Sequence, residues 1–373
     1  MRTQALALGF YAVGITPAVP ADPRYIRSYR ERVRGADYLG LPYLQNYPEL
    51  RENPGALFPG ARSLVVVAQN YFPPQMQPPG APQVAYYAYG RDYHKIVRRK
   101  LAKLLGSLQE QFPLWGIQGR PYCDSAPLYE QYWAQQAGLG FRGRNGLLII
   151  PGKGSYHFLG VLALNAPLLY DAPHSRGGCG RCSRCSDACP TGALHGAEGD
   201  CFSPDRCLSY LTIEHKEAIS PDLVPLMGNH FYGCDVCQQV CPHNRFARPH
   251  SEPALAPRSE VLHLTYSALQ HLAAQDSLPQ STCTTPSPPE PGAQNPAVTA
   301  VEQEVDPRAY YDQLTLGSAM RRATPQQLCR NARICLLNAG IPLDGGEPGA
   351  GSVSDTEGQD LSIGAANLSA KEG

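Results

Sequence analysis

Nowhere in these 373 residues do 18 apolar residues follow one another, so no membrane-spanning helix is expected. Charge is sparse, at 17% of the chain, and balanced at 32 basic against 32 acidic residues. Composition alone therefore exerts no strong pull toward nucleic acid or an anionic membrane. The stretch from Met1 to Tyr11 lacks the basic region, long apolar run and small-residue cleavage site of a secretory signal, so a cytoplasmic protein is expected. No GxxxxGK[ST] phosphate loop is present and no dinucleotide-binding unit is expected, which turns attention to other cofactors. There is no heptad or collagen-like repeat, and 43% of the residues are hydrophobic, which excludes fibrous and fully disordered chains.

What is present is length for one large domain or two to three smaller ones. The charge is unevenly spread. Residues 342–373 hold six acids and one base, leaving 31 basic against 26 acidic residues in the body. After a basic, tyrosine-rich start, Ser63–Ala68 (SLVVVA) reads as a buried strand. Tyr93, Ile96, Val97, Leu101, Leu104, Leu105 and Leu108 recur at helical spacing. A second helix is expected over Leu128–Ala137, and strands over Leu147–Ile150 and Phe158–Leu164, joined as a hairpin through Pro151–Ser155. The first 170 residues thus predict an α/β or α+β unit with a mixed sheet. A helix is expected over Leu262–Ala274. Pro279–Val301 is low-complexity, and Tyr310–Ala339 predicts two short helices split near Thr324-Pro325.

Cysteine carries the strongest signal. Nine of the 13 cysteines lie between Cys179 and Cys241. Cys179-x2-Cys182-x2-Cys185-x3-Cys189-Pro190 is the spacing of bacterial two-cluster ferredoxins. Its partner half is split, with Cys207 alone and Cys234-x2-Cys237-x3-Cys241-Pro242 following. Two-residue spacers let successive thiolates wrap one face of a cubane, while the fourth cysteine points to the neighbouring cluster. That logic gives Cys179, Cys182, Cys185 and Cys241 to one [4Fe–4S] cluster, and Cys189, Cys207, Cys234 and Cys237 to the other. Cys201 is left over, and structural zinc is the alternative. A ferredoxin module alone needs far less chain than this, so the clusters are expected to feed a redox site in the first domain.

In that domain a polar constellation stands out: Arg91-Asp92-Tyr93-His94, then Arg120-x2-Cys123-Asp124-x2-Pro127-x2-Glu130, then Gly138–Asn145 (GLGFRGRN). Asp124 and His94 read equally well as helix caps or turn residues and as functional groups. Residues alone lead to a two-cluster oxidoreductase with an unidentified partner site.

The segments GRDYHK (90–95), YCDSAPLYEQYWAQQAGLGFRGRNGLLI (122–149), GSYHFLG (154–160), the cysteine block and CLSYLTIEHK (207–216) together resemble the epoxyqueuosine reductase family of tRNA-modifying enzymes. The resemblance implies an α+β architecture: a cobalamin- and substrate-binding domain over residues 1–172, a ferredoxin-like domain with two [4Fe–4S] clusters over 173–250, a HEAT-like helical region over 251–340 with an insertion at about 279–303, and an acidic tail over 341–373. It implies that Asp124 is the proton donor, with burial raising its pKa. Cobalamin, without a lower histidine ligand, would meet Asp124, Arg144, Asn145, Ile149, Pro151, Ser155 and Tyr156. Arg144 stands where the family commonly has lysine, and Cys123 where it has valine. The substrate would be tRNA carrying epoxyqueuosine in its anticodon loop. Candidate contacts are Arg91, Asp92, Tyr93, His94, Lys95, Arg98, Arg99, His215, Lys216, Arg321, Arg322, Arg330 and Arg333. An external one-electron donor such as flavodoxin or ferredoxin, no membrane, and a monomer complete the expectation. The competing readings are a reductive dehalogenase-like cobalamin enzyme on a small substrate and a two-cluster electron carrier.

Overall fold

The computed structural model describes residues 1–35, 38, 40–175, 177–195, 201–274 and 307–343. The proline-rich insertion and the acidic tail from residue 344 on lie outside the described residues. No described helix is long and apolar enough to cross a membrane.

The chain opens with α1 (Arg2–Ala7) and β1 (Ala12–Pro17), then α2 (Pro23–Val33) and two short helices, α3 (Pro48–Glu52) and α4 (Pro54–Leu57). β2 (Ser63–Asn70) follows, then β3 (Gln83–Val84) and the 19-residue α5 (Tyr93–Gln111). β4 (Gly119–Tyr122), α6 (Glu130–Gln136), β5 (Phe141–Arg142), β6 (Leu148–Ile149) and β7 (His157–Leu164) complete the first unit.

The main sheet has the order β1-β2-β7-β4, and each of its pairings is antiparallel. The expected mixed sheet is therefore an antiparallel one. All eight residues of β2 are buried, because alternation sends its side chains into two covered faces. Val65 and Val67 meet Val97, Leu101, Leu104 and Leu108 of α5, while Leu64, Val66 and Ala68 meet Trp133, Ala134 and Ala137 on the α6 side. The expected hairpin is also corrected. β6 pairs with β5, not with β7, because the glycine-rich stretch before it makes its own tight turn.

The cysteine segment contributes α7 (Arg184–Asp187), β8 (Leu194–His195), β9 (Cys201–Phe202), α8 (Leu208–Ile213), β10 (His230–Tyr232) and α9 (Val236–Gln239). β10 lies parallel to β3 of the first unit. The C-terminal part is helical, with α10 (Ser259–Leu262), α11 (Tyr266–Ala273), α12 (Pro307–Thr315), a 3-10 turn at Ala319–Arg322 and α13 (Pro325–Asn338). The split at Thr324-Pro325 is a capping box. The Thr324 hydroxyl accepts from the Gln327 N–H, and the Gln327 side chain takes the Thr324 N–H. Val84, Ala88 and Tyr89 share one core with Phe231, Tyr232, Leu264, Leu269, Leu328 and Leu336. Three stretches of sequence thus close one interior.

Candidate active site

Asp124 sits just past β4, where the chain leaves the sheet. Its φ of 58° lies in the left-handed region, and the Ser125 N–H donates to the Cys123 carbonyl at 2.6 Å. This is a three-residue turn of the strained, positive-φ kind, costing on the order of 1–3 kcal/mol. Strain of this size persists only where its surroundings hold it. Cys123 anchors one side, fully buried with its Sγ 3.2 Å from the Leu159 carbonyl oxygen. Burial pushes the Cys123 thiol far up, so it behaves as a neutral small hydrophobe.

The Asp124 carboxylate is gripped from α5. The Tyr93 hydroxyl donates to Oδ2 at 2.7 Å, and His94 Nε2 lies 3.0 Å from the same oxygen. His94 Nδ1 is in turn 2.7 Å from Oδ1 of Asp92, the residue that caps α5. Tyr93 is locked by rings on both sides, Phe158 at 3.9 Å and His94 at 4.0 Å. From the other direction, Glu130 Oε1 accepts the Asp124 N–H at 2.6 Å. The Asp124 side chain nevertheless remains 59% exposed.

The charge states differ from the expectation. Burial works to raise the Asp124 carboxyl, but hydrogen bonds from His94 and Tyr93, with the charges of His94 and Arg322, hold it below its ordinary value. The proton is held by its neighbours. Burial lowers His94, yet its bonds to Asp124 and Asp92 outweigh that and leave it raised. Burial and the Asp124 charge push Glu130 up to about 8.

Within electrostatic range of Asp124 lie Tyr43, which the sequence left unmarked, and Arg322, one of the expected tRNA contacts. Tyr43, 41% exposed, feels the charges of Glu214, Arg322 and Asp124. Arg322 makes a fork-to-fork pair with Glu214, both contacts at 3.0 Å, and stands 5.9 Å from the Tyr43 ring. Tyr43 precedes an irregular stretch with no periodicity, and nothing local marks it.

Several other expected residues are engaged elsewhere. The Arg330 guanidinium donates to the carbonyls of Leu211, His215 and Glu217, and Arg333 donates to that of Ala273. Both join helices instead of forming a free rim. Arg321 pairs with Asp312 at 2.5 Å, and Arg98 donates to the His94 carbonyl. His215 Nε2 contacts the Ala218 carbonyl. Arg91, Lys95, Arg99 and Lys216 are exposed.

Three of the seven residues expected around cobalamin share one cavity. Arg144, Asn145 and Ile149 line a small cavity together with Cys179, Cys182, Cys185 and Cys241. There the Arg144 N–H reaches Cys179 Sγ at 3.3 Å, and its guanidinium donates to the Gly180 carbonyl. Ser155 is buried, with its hydroxyl on Gln238 and its N–H on Asn244. Tyr156 lines an adjoining cleft of about 890 Å³ with Phe72, Tyr86 and Arg245, and Arg184 and Cys241 line both. Pro151 is an exposed turn residue. The letters GxGxxG do occur, at Gly138–Gly143, but they follow α6 and run through β5. A dinucleotide site needs the reverse order, strand into helix.

The cysteines form a near-repeat. α7 and α9 are both four-residue helices, packed together, with cap residues at φ −114° and ψ within a few degrees of zero. Each sets a CxxC ahead of a CP dipeptide. One cavity collects Cys179, Cys182, Cys185 and Cys241. Cys207, Cys234 and Cys237 form a second, deeper group in which burial raises every thiol, that of Cys234 to about 12, with Cys189 in electrostatic range.

This segment, residues 178–244, matches the family model for a 4Fe-4S double cluster binding domain. Residues 51–125 match a second, "Epoxyqueuosine reductase QueG, DUF1730". An epoxyqueuosine reductase of Cyclobacterium marinum is 40% identical over 264 residues, 70% of this chain and 83% of the relative. The chain belongs to the epoxyqueuosine reductase family. Its members are oxidoreductases, and epoxyqueuosine reduction is the activity that membership assigns. An epoxyqueuosine reductase solved with an epoxyqueuosine-modified tRNA-Tyr stem loop is similar over 90% of this chain and 80% of its own, with 27% identity and a TM-score of 0.70. A Bacillus subtilis epoxyqueuosine reductase, solved with its catalytic aspartate loop swung out of the active site, has the same coverages, 26% identity and a TM-score of 0.69.

Proposed function

We propose that this chain reduces the epoxide of epoxyqueuosine in a tRNA anticodon loop to an alkene, with Asp124 as proton donor and electrons arriving through two [4Fe–4S] clusters to a cobalamin. The observation that carries this reading is the Asp124 carboxylate, fixed through Oδ2 yet exposed. The relative solved with a modified stem loop supports tRNA as the substrate.

Removing an epoxide oxygen as water consumes two electrons and two protons. The chemistry that cobalamin supplies when bound is strong two-electron reduction at a metal able to store electrons that arrive singly. The fit to this cofactor rests on two features. Both ring nitrogens of His94 are engaged by carboxylates, which commits this imidazole to Asp92 and Asp124. Asp124, Tyr43 and the Arg322–Glu214 pair bring an acid, an aromatic ring and a fixed cation within electrostatic range of one another, and these residues would hold the cofactor and substrate. Cys179, Cys182, Cys185 and Cys241 would hold one cluster, and Cys189, Cys207, Cys234 and Cys237 the other, each supplying one-electron transfer.

The protein's own part is proton delivery. The Asp124 carboxyl is held below its ordinary value and the His94 imidazole above its own, which favours the proton on His94. Asp92 Oδ1 faces His94 Nδ1–H and favours the imidazolium. As negative charge develops on the departing oxygen, Nε2–H of His94 gives its proton to the Asp124 carboxylate, which delivers one to that oxygen. The Tyr93 hydroxyl keeps Oδ2 aimed throughout. Asp124→Asn is expected to keep full iron and cobalamin while turnover on modified tRNA falls by about 100-fold or more, the range of a lost general acid. Turnover within a few-fold of wild type would remove Asp124 from this role.

A further inference from the structure

Asp124 is held from two directions, and only the grip on its carboxylate has been given a task. The other grip is on its backbone. The residue occupies a positive-φ turn that closes through the Ser125 N–H, so its own N–H points outward from the turn. That N–H meets a single acceptor among the described residues, Glu130 Oε1 at 2.6 Å. Glu130 opens α6, whose Trp133 and Ala134 are buried in the core against the sheet. The acceptor is therefore mounted on a rigid element, while the segment it holds is exposed at Asp124 and Ser125.

We propose that Glu130 is the positioning residue for the catalytic turn: its side-chain oxygen latches the Asp124 backbone and keeps the carboxylate directed at Tyr93 and His94. Apart from its place in the first turn of α6, where the helix N-terminus favours an acid, the placement is unfavourable. Two carboxyl groups share one corner, and Glu130 is pushed up by burial and by the Asp124 charge. Solubility and packing would be served better by a neutral residue. What Glu130 contributes is an acceptor of the right reach, and an amide oxygen at the same position can make the same bond.

This inference rests on Asp124 being the proton donor, but its test reads the latch directly. The full chain, loaded with iron–sulfur clusters and cobalamin, is compared as wild type, Glu130→Gln and Glu130→Leu. Amide hydrogen exchange is followed in the peptide containing Asp124, beside kcat and KM on modified tRNA. Losing a hydrogen bond to a charged or polar acceptor should speed exchange at this site by about 10-fold in Glu130→Leu. A similar fall in kcat is expected, with KM, iron content and melting temperature near wild type. Glu130→Gln should stay within about twofold of wild type in exchange. Unchanged exchange in Glu130→Leu overturns the latch, as does Glu130→Gln exchanging as fast as Glu130→Leu. If Glu130→Leu folds poorly, Glu130→Asp withdraws the acceptor by one methylene and is read in the same way. An active Asp124→Asn enzyme would sink the proton-donor role and leave the exchange result to stand or fall by itself.

Discussion

At Asp124 the two carboxylate oxygens have different surroundings. Oδ2 takes hydrogen bonds from Tyr93 and His94, and Oδ1 has no protein partner among the described residues. The pairing favours the proton on His94 over Asp124, and pH should reveal it. The His94 pKa is raised above its ordinary 6.5. Its ion pairs thus stabilise the fold fully below that unfolded value, and the contribution is lost as pH rises through the folded value. The rate should follow the same limb, declining as His94 deprotonates. In His94→Gln the alkaline decline should disappear, together with about 10-fold or more of kcat at neutral pH. An unchanged pH–rate profile in that variant would show that the proton comes from elsewhere. The expectation that burial raises Asp124 failed for a reason visible only in three dimensions. Tyr93 and His94 are 30 residues away in sequence, and nothing local to Asp124 reveals them.

Among the elements, those with one dominant cause were legible. β2 is a run of branched apolar residues because both of its faces are covered, and α5 keeps a strict helical stripe because one face packs on that sheet. β1 was missed because Gly14 and Pro17 dilute its strand signal. Gly14 is required by packing: a Cβ there would stand 2.1 Å from the Ala137 carbonyl oxygen. The pairing of β5 with β6 was misread for a similar reason, since the glycines that form the turn also look like loop. The cysteine elements were the most legible, because cluster ligation demands spacing and not propensity. Their test follows from α8, which starts directly after Cys207. Cys207→Ser should lower iron from about eight to about four per chain, keep the spectral signature of one cluster and lose most activity. Eight irons retained would break the ligand assignment.

For the whole molecule, the segments joined by sequence are not the bodies joined by packing. The Lys100 ammonium of α5 pairs with Glu252, beyond the cysteine block, where both side chains are about 15% exposed, and it also donates to Gln69. Removing one partner of a largely buried pair leaves the other charge uncompensated, at about 3 kcal/mol. Glu252→Gln should therefore lower the thermal midpoint by several degrees while iron content stays the same; an unchanged midpoint would mean that water already solvates this pair. No sequence pattern announces the contact, because neither residue belongs to a motif.

The parallel pairing of β3 with β10, and the core shared by Tyr89 and Leu336, bear on how the chain is made. Roughly 250 residues must leave the ribosome after Tyr89 before its pocket can close, about 12–50 s at ordinary elongation rates. During that interval Val84, Ala88 and Tyr89 lack their C-terminal core partners, although Tyr86 and Tyr87 can pack on the first unit, while the cysteines of both cluster loops emerge. Metal loading and burial of Val84, Ala88 and Tyr89 are thus placed in the same late window of synthesis.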